Sequence, residues 1–591
     1  MMRYSVRNGN REAYDQPMSA RFGLRCLAAL LTVPLTIPLT AQQGASPSLE
    51  TLLKDGDALS KQADYAHAIP LLQRAKRLDP QNYRANLLLG LDLLRSGHPS
   101  EALEPLRIAS QARATEAVAD GYLGEAEESQ ANFAGAAEDF MDAVARAPAS
   151  ASALLAWADF SLERFRALGL WLRGSQKGTA VLLRIQAEGT PPGTTQREAF
   201  LQKAAEGDPE QSGIWGELGI AQMQLAMHEE AQASLKHAQE LQPNASSSLA
   251  LEAQSAAAQG NWAEAETRLR LLEHRSTVTL RSALTQWPAS LVPAPDVPGP
   301  VWQCVRDRSP NCSITVEPVE GTAVPNAETL FAQERWEQLA ALPAPATADG
   351  QFWFWRGVAL GQIGNCAQAI PSLERGLKEG KEAAAYWLIA CYGSVVGHTA
   401  SQLSAQGKKV AVHQIHGDIL LSMKGDASAA AAEYTEALRL KPNDADLLEK
   451  RAQACFSQGD LEQAQRDAHS VLAVDPHRQS TLQLLIRIAM SERDYAQALS
   501  VLARFARMRP DDPWARVQFA TAYAQTGRPQ DAVRNLQPVL LAGYPDEKGA
   551  LHALLAGQLR KLGREQDAKA AAQQAVKLAN TFEQQGDANP Q

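Results

Sequence analysis

The sequence predicts an all-α fold, a solenoid of tandem helix–turn–helix units in two arrays that a Pro-rich connector joins. Three observations lead to this prediction. Prolines recur at one constant interval, as at Pro442, Pro476 and Pro510. An amphipathic stretch with alanines at fixed offsets precedes each of these prolines. The composition is rich in Ala and Leu, with 6% aromatic and 21% charged residues, which is typical of a helical protein.

The stretch from Trp215 to Pro243 shows how one unit is built. Its small residues Gly219, Ala231 and Ala238 fall where the two helices must approach closely, and a larger side chain there would overpack the pair. The closing proline ends the second helix because it has no backbone N–H to donate. One helix pair cannot bury its apolar face alone, so we expect consecutive units to stack.

Eleven units share this pattern. They begin near Leu49, Tyr83, Ala117, Ser212, Ser246, Gly350, Ala411, Ala445, Gln479, Pro513 and Gly549. Glycines such as Gly459 and Gly527 stand where the chain turns inside a unit. Two regions depart from the pattern. Residues 149–211 are predicted to form one expanded unit, and residues 384–410 a degenerate helix pair.

This pattern resembles the tetratricopeptide repeat, a helix–turn–helix unit of about 34 residues. The resemblance extends over most of the chain after Ala41. It implies that the first helices of successive units line a concave groove, which holds peptides or segments of partner proteins. One subgroup of that family grips a peptide's terminal carboxylate with Lys, Asn and Arg. The groove positions of this chain carry no such set, so we do not expect that mode of binding.

The groove candidates are apolar and aromatic side chains. Four consecutive aromatic residues end at Phe354 and Trp355, and one packed face of a helix cannot hide all four. By the resemblance, these last two fall at groove positions and could contact a partner. The alternative is that the connector folds over them. Leu87 and Leu91 belong to an apolar stripe that is either groove lining or helix core. Trp514 occupies another groove position, or packs there as a cap.

The N-terminus resembles a secretory signal. Arg21 and Arg25 precede an apolar run over residues 26–40, which ends in small residues. We therefore predict a signal peptide at residues 1–41, with Met18 as an alternative start, and export to the periplasm or beyond the cell. The apolar run is shorter than the ~20 residues of a spanning helix, so we expect no stable membrane insertion after cleavage.

Composition shifts divide the remaining chain. We predict an N-terminal array at residues 42–275, the Pro-rich connector at 276–326, a C-terminal array at 327–580 and a flexible tail at 581–591. The connector contains strand-like snippets and no helical periodicity.

Four cysteines are candidates for disulfide bonds in an oxidising compartment. Cys304 and Cys312 lie close together within the connector, and Cys366 and Cys391 could form a second bridge. Four cysteines allow three connectivities, and the sequence does not choose among them.

Several classes of site are disfavoured. A formal net charge of −9 and the lack of a Lys/Arg-rich run argue against nucleic acid as a partner. His413 and His416 share a helix face but lack further ligands, so no metal site is predicted. No Walker loop, dinucleotide fingerprint or nucleophile elbow is present, so we predict neither cofactor-binding nor catalytic residues.

These observations favour an exported, non-enzymatic scaffold that binds proteins or peptides and mediates assembly in the cell envelope. Two alternatives belong to other classes. One is a component of a secreted assembly with a catalytic or carbohydrate-handling role. The other is a purely structural spacer, in which substitutions in the groove would have no effect.

Overall fold

The computed structural model describes residues 47–113, 115–173, 176–188, 190–242, 245–285, 287, 291–307, 326–546 and 548–587. Within these ranges the chain forms thirty α-helices and no β-strand. The predicted signal peptide at residues 1–41 lies outside the described residues.

Seven helices open the N-terminal array. The first six form three pairs, and the seventh is a single helix of 22 residues. They are α1 (Leu49–Lys61), α2 (Tyr65–Leu78), α3 (Tyr83–Arg95), α4 (Pro99–Ala112), α5 (Val118–Ser129), α6 (Phe133–Arg146) and α7 (Ala151–Leu172).

Eight helices follow, of which the last two fall in the predicted connector. They are α8 (Gln176–Glu188), α9 (Thr195–Gly207), α10 (Ser212–Gln224), α11 (His228–Leu241), α12 (Ser246–Ala258), α13 (Trp262–Arg275), α14 (Thr277–Thr285) and α15 (Pro300–Asp307).

The C-terminal array contains fifteen helices and one π-helical turn (Leu420–Lys424). The helices are α16 (Ala327–Ala332), α17 (Trp336–Ala341), α18 (Gly350–Gln362), α19 (Cys366–Lys378), α20 (Ala384–Ala405), α21 (Lys409–Ile419), α22 (Ala427–Leu440), α23 (Ala445–Gln458), α24 (Leu461–Val474), α25 (Gln479–Ser491), α26 (Tyr495–Met508), α27 (Pro513–Gln525), α28 (Pro529–Leu541), α29 (Ala550–Lys561) and α30 (Glu565–Asp587).

The predicted register of the units is confirmed. The first helix of each of the eleven units begins within two residues of its predicted start. Second helices end two residues before their prolines, as α24 does at Val474 and α26 at Met508. Gly459 and Gly527 take φ angles of 91° and 71° in the turns, a conformation that suits glycine.

Small residues allow the close packing within each unit. In α5, a Cβ added at Gly124 would lie 2.8 Å from the Phe140 ring of α6. In α1, a Cβ at Gly56 would lie 2.7 Å from the Leu72 side chain of α2. The large side chain of the second helix therefore fills the space that the glycine of the first helix leaves free.

Residues 384–410 differ from the prediction of a degenerate helix pair. They form the single 22-residue helix α20, which ends before the turn to α21. Gly393 and Gly397 lie inside this helix, and the first residue with a left-handed backbone is Gly407, at φ 67°. Because no proline interrupts the stretch, the helix continues through both internal glycines.

The predicted connector is partly helical. Trp302 of α15 is fully buried, with its ring centroid 5.4 Å from that of Trp262 in α13 and 5.8 Å from that of Trp287. These residues share one apolar cluster with α12 and α14. The described part of the connector therefore packs on the end of the N-terminal array. At the C-terminus, α30 continues to Asp587, into the segment predicted as a flexible tail.

The two arrays also pack directly against each other. One apolar cluster combines residues of α6 and α7 with residues of α16 to α20. Helix α7 lies along α20 and also contacts α21. Farther along, Ala63, in the turn after α1, packs against the cluster of α25 and α26. The arrays therefore share buried surface in addition to their covalent connection.

Candidate functional site

Aromatic rings form the centre of the contact between the arrays. Phe160 of α7 lies 5.2 Å from Phe140 and 5.7 Å from Trp157, measured between ring centroids. Its other neighbour is Tyr392 of α20, at 5.9 Å and edge-on. All four rings are buried. Ring packing of this kind fixes how the arrays sit against each other.

A buried ion pair lies beside these rings. The Arg164 guanidinium of α7 donates to the Glu374 carboxylate of α19 through Nε at 3.0 Å and through Nη2 at 2.8 and 3.0 Å. The Tyr392 hydroxyl donates to the same carboxylate at 2.8 Å. Burial, together with the neighbouring carboxylate, raises the pKa of Tyr392 well above its usual value. The carboxylate is thus paired and hydrogen-bonded, as a buried charge requires.

A second charged group lies farther along α7. The Lys450 ammonium of α23 donates to Asp418 and to Asp159, each at 2.9 Å. Asp418 also accepts a bond of 2.6 Å from the Tyr434 hydroxyl. Burial raises the pKa of Asp418 to about 6. Because Asp159 belongs to α7, this lysine ties the N-terminal array to the C-terminal array.

Weaker polar contacts extend the interface in both directions. Gln406 donates to the backbone carbonyl of Pro148 at 3.0 Å, and Arg375 pairs with Glu138 at 2.6 Å. The Gln479 side chain of α25 donates to the carbonyl of Arg95, at the end of α3, at 2.8 Å. Contacts therefore run from α3 to α7 on one side and from α19 to α25 on the other.

Carboxylates on first helices gather where α5 and α7 approach the other array. We call Glu125, Glu128, Asp159 and Glu163 the inner acidic cluster. Burial and then the Glu163 charge raise the pKa of Glu128 to about 7. Burial also raises the pKa of Glu125 and of Glu163, yet both side chains remain accessible to solvent. Glu125 and Glu163 are therefore exposed carboxylates whose surroundings disfavour the charged form.

A cleft of about 890 Å³ lies on the second helices of the same interface. Its walls come from α4, α6 and α19 and include Arg107, Asp139, Arg375 and Lys378. Burial and the neighbouring Glu127 carboxylate raise the pKa of Asp139 to about 7. Both acidic and basic side chains line this cleft.

Family models of the tetratricopeptide repeat match four segments of the chain. The matched residues are 53–117, 212–245, 424–468 and 489–557, which fall in both arrays. The chain is a tetratricopeptide-repeat (TPR) protein. TPR proteins in general are scaffolds for interactions with other proteins.

One relative of the TPR protein is cellulose synthase operon protein C of Xanthomonas axonopodis pv. citri (strain 306). The two are 29% identical over 165 residues, which make up 26% of this chain and 11% of that protein. This chain therefore spans about a tenth of the relative's length.

Three solved structures similar to the TPR protein each cover less than half of it. MamA from Desulfovibrio magneticus RS-1 is 21% identical, with a TM-score of 0.27, and covers 30% of this chain and 97% of its own. A thermophilic TPR protein of Thermus thermophilus is 21% identical, with a TM-score of 0.24, and covers 30% of this chain and 94% of its own. Pseudomonas aeruginosa pilF is 14% identical, with a TM-score of 0.27, and covers 40% of this chain and 96% of its own.

The aromatic groove candidates of α18 pack against an aromatic residue of the TPR protein itself. The Phe331 ring of α16 lies 5.9 Å from the Phe354 ring and stacks on Trp355 at 5.7 Å. Both candidates are partly buried against the cluster that joins the arrays. The described part of the connector packs on α12 and α13 instead. The two candidates therefore contact α16 and not the described part of the connector.

The remaining groove candidates pack partly against the core. Leu87 lies against the apolar cluster of α1 to α5, and Leu91 is partly buried. The Trp514 ring lies edge-on at 5.9 Å from Phe505 of the preceding unit. The structure does not bring these residues together with Phe354 or Trp355 in any apolar cluster of the described ranges.

The predicted cysteine pairs have different outcomes. Cys304 is disulfide-bonded, but Cys312 lies outside the described residues, so their pairing stays a prediction. Cys366 and Cys391 are free thiols, so the second predicted bridge is not formed. The two thiols are nonetheless neighbours. A hydrogen bond between them lowers the pKa of Cys366.

His413 lies beside an acidic partner on the next helix. Its Nδ1 is 2.7 Å from a Glu433 oxygen. In the part of the chain that the structure describes, no three His, Cys, Asp or Glu side chains stand close enough together to hold a metal ion. None of the helices described there has both the length and the apolar character that crossing a bilayer requires.

The charged residues of the inter-array contact are the ones that sequence reasoning missed. Arg164 and Glu374 are separated by 210 positions, and Asp159 and Lys450 by 291. Each lies on an amphipathic helix, where a charge usually marks the solvent face. A weak signal was available, because α7 and α20 are each 22 residues long, whereas α1 and α2 have 13 and 14 residues.

Proposed function

We propose that this TPR protein is an exported scaffold, which holds other proteins on its first-helix surface and so mediates assembly in the cell envelope. The observation that carries the proposal is the inner acidic cluster. Glu125 and Glu163 lie on first helices, remain accessible to solvent and carry a raised pKa. A partner with Lys or Arg side chains would relieve the repulsion among these carboxylates.

Two further observations support export. The segment at residues 1–41 has the order of a secretory signal. Cys304 is disulfide-bonded, and disulfide bonds persist mainly in oxidising compartments. N-terminal sequencing of the protein from an envelope fraction should therefore begin near Gln42. An intact N-terminus in the cytoplasmic fraction would contradict export.

The name of the relative favours an assembly concerned with polysaccharide. Cellulose synthase operon protein C is named for a cellulose synthase operon, and it shares 165 aligned residues with this chain. The chain's part in such an assembly would be to hold proteins rather than to cut or join sugars. This preference rests on the absence of a recognisable catalytic motif in the sequence.

Site-specific photo-cross-linking in living cells tests the scaffold. A photoreactive phenylalanine analogue replaces Glu125 or Glu163 of the inner acidic cluster. Matched controls carry it at Glu210 or Glu462, whose side chains are 84% and 83% exposed on other surfaces. We expect adducts with one or a few envelope proteins from the two positions of the inner acidic cluster alone.

Two outcomes would contradict the proposal. Equal adducts from all four positions would indicate non-specific contact. A lack of adducts from Glu125 and Glu163 would favour the structural spacer if cells carrying Glu125→Lys or Glu163→Lys also behave as wild-type cells do.

A further inference from the structure

Two free cysteines lie next to each other on α19 and α20, beside the contact between the arrays. Cys366 is the first residue of α19, and Cys391 lies inside α20. Cys391 belongs to the apolar cluster that joins the arrays, and Cys366 packs against the same cluster. Their two sulfur atoms share a hydrogen bond. The proposed function uses neither of these thiols.

The two thiols differ in exposure. Cys366 is partly exposed to solvent. Cys391 is 1% exposed, and a Cβ added at Gly361 of α18 would lie only 3.5 Å from its Sγ. Protein therefore encloses Cys391, and its sulfur is reached from Cys366 rather than from solvent.

The two thiols also differ in how readily they ionise. Hydrogen bonds from Cys391 and from Ser394 lower the pKa of Cys366, against the opposing effect of burial. The bond to Cys366, and then burial, raise the pKa of Cys391. Because the thiolate is the nucleophile in sulfur chemistry, Cys366 is the more reactive member of the pair.

The other described cysteines show the two states between which this pair stands. Cys304 is disulfide-bonded. Cys455 of α23 is a free thiol that is 3% exposed and packs in the cluster of α25 and α26. Cys366 and Cys391 are thiols, as Cys455 is, but they are adjacent, as bridged cysteines must be. Their sulfur atoms are packed and hydrogen-bonded, so the unbridged state is itself a satisfied arrangement.

We propose that Cys366 and Cys391 form a reversible thiol–disulfide exchange site, in which Cys366 attacks a small disulfide compound and Cys391 completes the bridge. In the first step, the Cys366 thiolate bonds to one sulfur of the compound, whose own S–S bond breaks. The other sulfur leaves as a thiolate and takes up a proton.

The second step closes the bridge inside the protein. Cys391 gives its proton to water and attacks the Cys366 sulfur. This attack displaces the remaining sulfur of the compound, which leaves as a thiolate and takes up a proton. Two protein thiols are thereby oxidised to one disulfide, and the compound is reduced to two thiols. A dithiol reductant reverses both steps.

The bridge joins the two helices that also hold the buried carboxylate of the inter-array contact. Glu374 lies on α19, and the hydroxyl of Tyr392, the residue after Cys391, donates to it at 2.8 Å. A covalent link beside this bond restrains α19 against α20, and reduction releases the restraint. The site therefore makes the contact between the arrays responsive to the redox state of the surroundings, independently of the inner acidic cluster.

Glutathione disulfide tests the proposal on the whole protein. The protein is reduced with dithiothreitol, freed of it and incubated with excess glutathione disulfide. Remaining thiols are alkylated, and the digest is read by mass spectrometry. We expect a peptide pair linked through Cys366 and Cys391, which dithiothreitol separates again in the folded protein. Cys455 should react at least about tenfold more slowly than Cys366, because burial shields its thiol and raises its pKa.

Two variants separate the roles of the two thiols. Cys391→Ala should stop after the first step, with one glutathione held on Cys366. Cys366→Ala should leave Cys391 as an unmodified thiol, because the residue that reacts first is missing. Cys455→Ala is the matched control and should form the bridge as wild type does. The main readout comes from the wild-type protein, so it does not depend on the folding of any variant.

Three results would overturn the proposal. If Cys366 and Cys391 both remain thiols in excess glutathione disulfide, they are packing residues of the core only. Glutathione that stays on Cys366 of the wild-type protein would show that Cys391 does not complete the bridge. A bridge that dithiothreitol opens only after unfolding would be a permanent structural disulfide and not an exchange site.

Discussion

The contact between α7 and α20 and the seam between α11 and α12 are opposite kinds of junction. The first joins helices from the two different arrays, through buried rings and a carboxylate bonded to both an arginine and a tyrosine. The second separates helices that are neighbours in sequence, by a cavity of about 920 Å³. Nearness in sequence therefore does not determine where this solenoid is tightly packed.

The difference teaches which side chains decide the packing of units. At the tight contact, aromatic rings and a fully bonded ion pair fill the space. Between α11 and α12, amide and charged side chains line the cavity, and Leu235 is partly exposed.

The largest predicted effect concerns the ion pair of the tight contact. Glu374→Gln leaves the Arg164 charge buried without a counter-charge, and should lower the free energy of unfolding by about 3–5 kcal/mol. Glu138→Gln is the matched control, because its partner Arg375 lies at the exposed edge of the same interface, and its effect should stay below about 1 kcal/mol. Chemical denaturation of both variants gives the comparison. Equal effects would mean that the buried pair does not hold the arrays together.

Equivalent leucines compare the two junctions directly. Leu373→Ala, next to the tight contact, should cost about 2–5 kcal/mol because it leaves a cavity in a closed core. Leu235→Ala should cost about 1 kcal/mol, since that side chain is already partly exposed to solvent at the cavity between α11 and α12. The difference in thermal midpoint measures the effect. A cost at Leu235 as large as that at Leu373 would show that the seam is closed in solution.

Two glycines of one helix test packing within a unit. Gly124→Ala places a methyl group against the Phe140 ring and should destabilise the protein by about 1–3 kcal/mol. Gly121→Ala, on the same helix, meets nothing within 4 Å and should stabilise it by up to about 1 kcal/mol through helix propensity. The thermal midpoints of the two variants test this prediction. A change of the same sign for both substitutions would contradict the assigned register.

The smallest predicted effect depends on pH. The pKa of Glu128 is raised to about 7 in the fold, so between pH 4.5 and 7 the folded protein binds more protons than the unfolded chain. Its contribution to stability therefore falls as the pH rises through this window. Glu128→Gln removes the charge and should stabilise the protein by about 1 kcal/mol at pH 8, with little difference at pH 4. Unfolding measured at both pH values checks this, and a destabilised variant at pH 8 would show that the charge is favourable.

The sequence was sufficient to predict the structure within a unit. The constant repeat period, the small residues at Gly56 and Gly124 and the prolines at helix ends act over short distances, so the pattern places the helices to within two residues. The contact of Phe160 with Tyr392 could not be predicted in this way. It depends on how units from the two arrays meet in space, and the repeat pattern carries no information about that distance.

The binding surfaces follow the same division. Phe354 and Trp355 were singled out as side chains that one packed face cannot hide, and in the structure both are partly buried and lie against Phe331 of α16. Gln254 could not be singled out at all, because a glutamine on a helix is ordinarily solvated. Its burial beside the cavity between α11 and α12 is visible only in the structure.

Zero-length cross-linking with a carbodiimide tests most directly whether the two arrays form one packed body. The reagent joins a lysine to a carboxylate that it already contacts, and Lys450 lies 2.9 Å from Asp159 of the other array. Lys76 and Glu104 form an ion pair within the N-terminal array and serve as the control. Mass spectrometry of the digested protein should find both links. A Lys76–Glu104 link without any link from Lys450 to Asp159 would contradict the packing of the arrays against each other.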